Sequence, residues 1–434
     1  MGNKVDNPYI ILPFHYMRFK KDFMLMVNLA GEHLYVPADD FNKVVNYSLN
    51  LHSDIYFKLK AKHFITNTLS DPSIELLAIK YRTKKNFLSD FTSLHMFVVT
   101  LRCNHKCNYC HASSKDIDEM TFDMDMETAK KAVDIALLTP SKSIKIEFQG
   151  GEPLLNFELI KYIIEYTSKQ ILQMNKKVEF VVCTSLIAAT DDMFRYFADK
   201  NISISTSLDG PEHIHNFNRH YINGNGCYED VIKSLDRARR YIKPEKISAL
   251  MTTTEYSLKY PTEILNEYVK NGFRSVFIRT LNPFGNASNK LDNIGYSALA
   301  FVTFYKNILN YIIDLNLKGI RIEESFATLL LTRILTPFST GFVDLQFPAG
   351  TGISGVIYDY DGDVYPSDEA RMLTQMGDHS FCMGNVHNNS YEALFCGNTL
   401  LNLINNSCVE SLPGCNDCAF QMYCGIDPIR NYIT

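Results

Sequence analysis

From Leu94 onward the chain alternates between short apolar runs and amphipathic stretches, and this alternation restricts the fold more than any other feature of the sequence. Strand-like runs fall at 95–101, 143–148, 178–182, 202–207, 247–251 and 275–278. Helix-like stretches lie between them, near 125–138, 156–173, 190–200, 228–241 and 261–271. Six strands separated by helices predict a parallel sheet covered by helices. The runs are nearly all apolar, as strands buried on both faces require. An open or closed β/α barrel is the natural closure, with its site at the strand C-termini.

The flanks differ. Residues 1–91 predict a small separate domain: two apolar runs, 23–28 and 32–36, form a hairpin, and helical patterns follow at 39–50, 53–64 and 73–91. Lys80, Arg82, Lys84 and Lys85 are expected on a solvated helix face. The barrel is expected over 92–339, ending in long helices near 296–317 and 322–335. A small C-terminal domain is expected over 340–434, with strands at 354–359 and 363–366 turning at Asp361-Gly362. A length of 434 residues accommodates two to three such domains. A net charge of -5 argues against a nucleic-acid partner. No apolar run approaches ~18 residues, so no membrane span is expected. The first fourteen residues lack the apolar core and cleavage site of an export signal, so the expected location is the cytoplasm.

Eleven cysteines are then an odd number in a reducing compartment, and six of them sit in two tight clusters. That distribution suits metal or iron–sulfur ligation better than a disulfide framework. The first cluster, Cys103-Asn-His-Lys-Cys107-Asn-Tyr-Cys110, follows directly on the first barrel strand. Three thiolates can hold three corners of a cubane and leave the fourth iron open for a substrate. A zinc site completed by His105 or His111 is the competing reading.

The spacing, with an aromatic before the third cysteine, resembles the signature of the radical S-adenosylmethionine (radical SAM) family. Three other motifs fall where that family would carry them. Gly150-Gly151-Glu152-Pro153 ends the second strand and resembles the GGEP motif that holds the methionine amino group. Cys183-Thr184-Ser185 ends the third strand, where the resemblance implies hydroxyl contacts to the ribose, with Ser185 in place of a common Asn. Ser207 ends the fourth strand, and Arg219 follows twelve residues later; the resemblance assigns that pair to the methionine carboxylate. Tyr109 is implied as a further cofactor contact. The implied cofactors are S-adenosylmethionine and a [4Fe-4S] cluster on Cys103, Cys107 and Cys110. Cys183 is expected to be a small buried residue.

The second cluster, Cys415-Asn-Asp-Cys418-Ala-Phe-Gln-Met-Tyr-Cys424, is a metal signal in its own right, with zinc again an alternative. It resembles the SPASM domain of peptide-modifying radical SAM enzymes. Pro428 and Ser367 stand where full members carry cysteines, so one auxiliary [4Fe-4S] cluster is expected to be missing and one to persist on Cys415, Cys418 and Cys424. In relatives the last ligand lies further downstream than this sequence extends, so either Cys408 substitutes as fourth ligand, the site is incomplete, or the chain is shortened.

The whole chain resembles the His-Xaa-Ser system radical SAM maturases, through segments such as Leu12-Pro-Phe14, 60–64, 91–97 and 408–415. The expected fold is α/β: a partial (β/α)6 TIM-type radical SAM barrel, a small α+β N-terminal domain, and a Cys-rich SPASM/twitch-like C-terminal domain. The resemblance implies radical modification of a ribosomally made peptide or protein, an electron donor such as flavodoxin or ferredoxin, and a second radical SAM partner. The N-terminal pattern is similar to domains that bind a leader peptide by strand addition. Two other classes stay open: a radical SAM enzyme acting on a small molecule, and a non-enzymatic zinc- or cluster-binding protein. No acid–base residue is singled out by spacing.

Overall fold

The computed structural model describes residues 7–433. Residues 1–6, with which the stretch read for an export signal begins, and Thr434 lie outside the described residues. The chain forms two compact units: Met1–Ser89 with Leu329–Gly350 and Asn402–Thr434, and Asp90–Thr328 with Thr351–Leu401.

The first unit opens with β1 (Ile10–Ile11), β2 (Phe14–Lys20), β3 (Phe23–Asn28), β4 (His33–Pro37) and β5 (Ile65–Thr66). Strands β2, β3 and β4 make an antiparallel meander, and β1 pairs with β5. The sequence reading foresaw β3 and β4 but not β2, whose alternation is blurred by Arg18 and Lys20 at an irregular register. Helices Ala38–Val45, Asp54–Ala61 and Pro72–Lys84 follow. Two of them start at side-chain caps: Ser53 accepts from the Tyr56 N–H at 3.3 Å, and Asp71 from the Ser73 N–H at 2.8 Å.

Strand β3 is apolar at almost every position because both its faces are covered. Met26 packs with Val36, Phe41, Leu59 and Phe64. Leu25 and Val27 face the other way and pack with Phe347, Val409, Met422 and Tyr423 from the distant segments. Side chains alternate along a strand, so one strand serves two cores. Met422→Ala should therefore cost ~2–5 kcal/mol, read as a lower melting temperature. It should couple non-additively to Leu25→Ala, since contacting residues share one cavity.

The same packing corrects the reading of the basic helix face. Lys84 is buried and donates to the carbonyls of Arg333 at 2.6 Å and Thr336 at 3.1 Å. Lys85 donates to the carbonyl of Phe347 at 2.7 Å and to Glu410 at 3.0 Å. Burial, and then Arg333, bring the Lys84 ammonium down to about 8. Helical spacing marked these lysines as a polar stripe but could not show that a remote segment supplies their acceptors.

The second unit holds one open sheet of β6 (Leu94–Thr100), β7 (Ser143–Gly150), β8 (Lys177–Cys183), β9 (Ser203–Ser207), β10 (Ile247–Thr252), β11 (Ser275–Arg279), β12 (Glu323–Glu324), β13 (Gly355–Tyr358), β14 (Asp363–Tyr365) and β15 (Gly384–Asn385). Its order is β12-β11-β10-β9-β8-β7-β6-β13-β14-β15. All pairs from β12 to β13 are parallel, and the last two are antiparallel. The six expected barrel strands are β6 to β11. Strand β13 lies parallel to β6, with Gly355 opposite Leu94, and buried His95 shares a 3.1 Å hydrogen bond with the Tyr358 hydroxyl across that seam. The hairpin of β13 and β14, expected in a separate C-terminal segment, thus extends the barrel sheet.

Only one face of this sheet is mainly apolar. Ile144, Ile146 and Phe148 of β7 are buried. The alternate residues Lys145, Glu147 and Gln149 share the opposite face with Cys183, Ser205, Ser207, Ser248 and Arg279, as the register of β7 to β11 requires. The expectation of strands apolar on both faces is corrected accordingly: hydrophobic content alone did not show that the inner positions are polar. Toward the strand N-termini this face borders a cavity of about 320 Å³ lined by Lys145, Glu147, Glu179 and Ser248 among others.

Candidate functional site

The cysteine loop begins where β6 ends. Its root is fixed by Arg102, which clamps Asp123 through two bonds of 2.8 and 2.7 Å and donates to the Ile117 carbonyl at 2.8 Å. Backbone bonds then trace the loop: Cys103 N–H to Lys115 O at 3.0 Å, Lys106 N–H to His220 O at 2.8 Å, Asn108 N–H to Asn218 O at 2.8 Å and Cys110 N–H to Cys107 O at 3.2 Å. Cys103, Cys107 and Cys110 are all unbridged thiols, as is every other cysteine of the chain. Burial pushes the Cys107 thiol up to about 12, against the pull of Arg219. Burial and then the Cys107 and Glu152 charges push Cys103 higher still. Such thiols ionise only when a metal cation replaces the proton.

Gly150 and Gly151 press the next strand end against this loop. A Cβ at Gly150, whose φ is +141°, would overlap the Thr100 carbonyl oxygen; one at Gly151 would overlap that of Arg102. The Gly151 N–H donates to Thr100 O at 2.9 Å and the Glu152 N–H to Arg102 O at 2.8 Å. The glycines thus serve first a backbone-to-backbone approach, where the sequence reading assigned them to a ligand. Pro153 opens the 3-10 turn Pro153–Asn156.

Glu152 is 2% exposed, and its carboxylate is the hub of the strand ends. It accepts from the Thr184 hydroxyl at 2.6 Å, the Ser185 hydroxyl at 2.7 Å, the Ser185 N–H at 2.9 Å and the Leu154 N–H at 3.2 Å. Both hydroxyls read from sequence as ribose contacts therefore donate to Glu152. Cys183 is half-buried, not fully buried, and its thiol donates to Glu147 at 3.2 Å.

Tyr109, Asp209 and Arg219 form a second hub. The Tyr109 hydroxyl donates to Asp209 Oδ2 at 2.7 Å and accepts from Arg219 Nη1 at 3.0 Å. Asp209 is fully buried and also accepts from the Thr252 N–H at 3.1 Å. Burial raises its carboxyl, while Arg219 and then Tyr109 oppose the rise. The buried Nε of Arg219 has no hydrogen-bond partner, nor does the buried amide nitrogen of Gln149 beside the glycines. Buried donors without acceptors are rare and ask for a ligand or water. Ser207 closes β9, half-buried on the polar face. Three soft thiols on one loop, a rigid strand-end turn and an arginine with a free edge fit a [4Fe-4S] cluster and the amino-acid end of S-adenosylmethionine.

In the first unit, the Cys424 thiol lies within electrostatic reach of Cys418 and Cys415. The buried Arg333 donates to the Cys424 carbonyl at 3.2 Å, and Gln421 to the Cys415 carbonyl at 3.0 Å. The Cys408 thiol bonds the Ile404 carbonyl at 3.4 Å. Pro428 starts the helix Pro428–Ile433. Among the described residues no three His, Cys, Asp or Glu side chains close on a single ion.

Sequence reasoning singled out none of Asp209, Asp359, Asp368 and Arg371. The Asp209 role was within reach, because an acid two residues past a strand end points back over the sheet. Asp368 and Arg371, an i,i+3 pair on a short polar helix, carry no such signal. Asp359, 1% exposed, is pushed up to about 6 by burial against the pull of Arg371. A carboxyl raised in the folded state adds stability below its unfolded value near 4 and loses it as pH rises through 6. Asp359→Asn should therefore gain on the parent by on the order of 3 kcal/mol between pH 4 and 7, seen as diverging urea midpoints.

Residues 97–268 match the family model described as the Radical SAM superfamily. An uncharacterised protein of Methanocaldococcus jannaschii is 33% identical over 185 residues, which is 43% of this chain and 61% of that protein. One of Methanothermobacter thermautotrophicus is 30% identical over 178 residues, 41% of this chain and 63% of that protein. The chain thus spans less than two thirds of the length of these two relatives. A cysteine-type anaerobic sulfatase-maturating enzyme of Clostridium perfringens is 25% identical over 274 residues, covering 61% of this chain and 71% of that enzyme. Among solved structures, anSMEcpe with bound AdoMet superposes with a TM-score of 0.64 at 21% identity, over 77% of this chain and 88% of that one. Streptococcus suis SuiB bound to precursor peptide SuiA gives 0.56 at 13% identity, over 98% of this chain and 96% of that one. Residues 97–268 thus match the model of the radical SAM superfamily, and the chain shares the α/β fold of these solved structures.

Proposed function

We propose that this chain is a radical SAM enzyme that modifies a ribosomally made peptide or protein. One observation carries the reading. Three half-buried thiols occupy the loop after the first parallel strand, and the GGEP turn of the next strand is bonded directly onto that loop. When bound there, a [4Fe-4S] cluster and S-adenosylmethionine supply reductive cleavage of the sulfonium and a 5′-deoxyadenosyl radical that abstracts hydrogen.

The chain's own residues have separate tasks. Cys103, Cys107 and Cys110 hold the cluster and leave one iron to the cofactor. Glu152, immobilised by its four donors, braces the Gly150-Gly151 turn that would hold the ammonium. Arg219 offers its free Nε edge to a carboxylate, with its other edge set by Tyr109. Ser207 is assigned to the same carboxylate. An auxiliary [4Fe-4S] cluster on Cys415, Cys418 and Cys424, with Cys408 as fourth ligand, belongs to this proposal.

For the substrate, the named relatives that mature sulfatases or bind a precursor peptide support a polypeptide. The resemblance to His-Xaa-Ser maturases narrows it to a His-Xaa-Ser peptide encoded beside this gene, with a flavodoxin or ferredoxin as electron donor and a second radical SAM partner, in the cytoplasm. No helix among the described residues is long and apolar enough to cross a membrane. The outer strands β2 and β4 expose Tyr16, Phe19 and Tyr35, which suits strand addition by an extended leader.

The test is anaerobic reconstitution followed by incubation with S-adenosylmethionine, a reductant and that peptide. The expected result is 5′-deoxyadenosine and a mass change on the peptide. Deoxyadenosine formation with an unaltered peptide, and turnover of a small molecule instead, would reject the polypeptide substrate. Replacing Tyr16, Phe19 and Tyr35 by alanine should weaken peptide binding about tenfold, ~1.4 kcal/mol. Unchanged affinity would remove the strand-addition idea.

A further inference from the structure

We infer that Arg371 is a positioning residue whose buried guanidinium, anchored on Asp368 beside Cys110, sets the reduction potential of the SAM-binding cluster. The inference rests on the proposed cluster at Cys103, Cys107 and Cys110.

Three segments of the second unit converge there. Strand β13 runs beside β6, whose end leads into the cysteine loop, so Asp359, just past β13, reaches the same end of the sheet. The helix Asp368–Gln375 follows β14 and is capped by Ser367, whose hydroxyl accepts from the Ala370 N–H at 3.3 Å. Arg371, on its first turn, is 1% exposed and is among the largest fully buried side chains. Its Nε donates to Asp368 Oδ1 at 3.1 Å. The other oxygen of Asp368 stands 3.4 Å from Nε2 of His111, the residue immediately after the third thiol. A chain of polar contacts thus runs from the guanidinium to the cluster loop.

Two features separate this from an ordinary structural ion pair. The Nη1 of Arg371 is buried without any partner. Leaving such a donor unpaired costs ~1–3 kcal/mol, so a purely structural pair would be expected to satisfy it. The guanidinium also lies within electrostatic reach of the Cys110 thiol as well as of Asp359. A cluster bound to Cys110 brings anionic sulfur to a site that already holds a fixed, poorly solvated cation. Cluster potentials respond to nearby charge and to hydrogen bonds onto sulfur. Reduction adds a negative charge, so a cation at this place favours the reduced form and raises the potential. Asp368 acts in the opposite sense and holds the cation in position.

The experiment is a redox titration of the anaerobically reconstituted full chain without S-adenosylmethionine, followed by electron paramagnetic resonance of the reduced cluster. Arg371→Gln should load iron and sulfide like the parent. At a fixed potential its ratio of reduced to oxidised cluster should fall about tenfold, a shift of ~59 mV to lower potential. Arg371→Lys, which keeps the charge, should recover most of that shift. Asp368→Asn should move the potential upward. Parent-like potentials in both Arg371→Gln and Asp368→Asn would overturn the inference. If Arg371→Gln does not fold, an unmoved potential in Asp368→Asn alone overturns it. A parent chain that takes up no iron would instead sink the proposed function, an outcome visible before any titration.

Discussion

Replacing Cys103, Cys107 or Cys110 by alanine should abolish the proposed reductive cleavage of S-adenosylmethionine, with no 5′-deoxyadenosine above background in an anaerobic assay. The size of the effect follows from ligand number. Three thiols are the sulfur ligands the loop offers; of the neighbouring histidines, Nδ1 of His105 bonds Asn104 at 2.7 Å and Nε2 of His111 stands 3.4 Å from Asp368. Losing one thiol leaves two irons without a protein ligand, and the site no longer defines a cubane with a single open corner. Loss of fold would not explain the result. The three side chains are half-buried, and of the loop's backbone groups the His105 N–H bonds the Cys103 thiol, at a long 3.4 Å, so melting temperatures should stay within a few degrees of the parent. Iron analysis of the same samples should show the deficit. Robust cleavage by any one variant would contradict the cluster assignment.

Glu152→Ala carries the second largest effect, on stability and cofactor binding together. The carboxylate accepts four hydrogen bonds, and three of the donors belong to Thr184 and Ser185. Removing it strands buried hydroxyls and N–H groups, each costing ~1–3 kcal/mol when unpaired. Relaxation will recover part of that, so a net loss of about 3 kcal/mol is expected, close to the cost of breaking a buried charged pair. In a unit of this size that lowers the melting temperature by ~6–12 °C. Affinity for S-adenosylmethionine should fall more than tenfold, because the GGEP turn loses its brace. Glu152→Gln should lie between: the amide keeps one acceptor but turns an N–H toward groups that already donate. A Glu152→Ala protein that melts with the parent would show that the strand ends are held by something else.

Much of this was legible in the sequence for a simple reason. Period-two and period-3.6 patterns report local burial, and the six barrel strands are each buried on at least one face. Motif spacing likewise placed Cys103, Cys107, Cys110, Glu152, Thr184 and Ser207 at consecutive strand ends, with Arg219 twelve residues beyond Ser207. Long-range partnership was not legible. Nothing in the run 23–28 says that Met422 and Tyr423 cover its second face. Nothing near 355–358 says that this strand will join β6. Lys84 looks solvated until Arg333 and Thr336 bring their carbonyls to it. Asp209 and Arg371 were missed on similar grounds, since a buried acid or base reads as a surface one until its counterpart arrives from elsewhere in the chain.

The two-faced strand β3 bears on how this protein can be dissected. A fragment ending at residue 89 would leave Leu25 and Val27 facing water, and a shell lacking that fragment would bare Phe347, Val409 and Tyr423. The transplantable module is discontinuous, and a chimera meant to borrow it must carry all three pieces of chain.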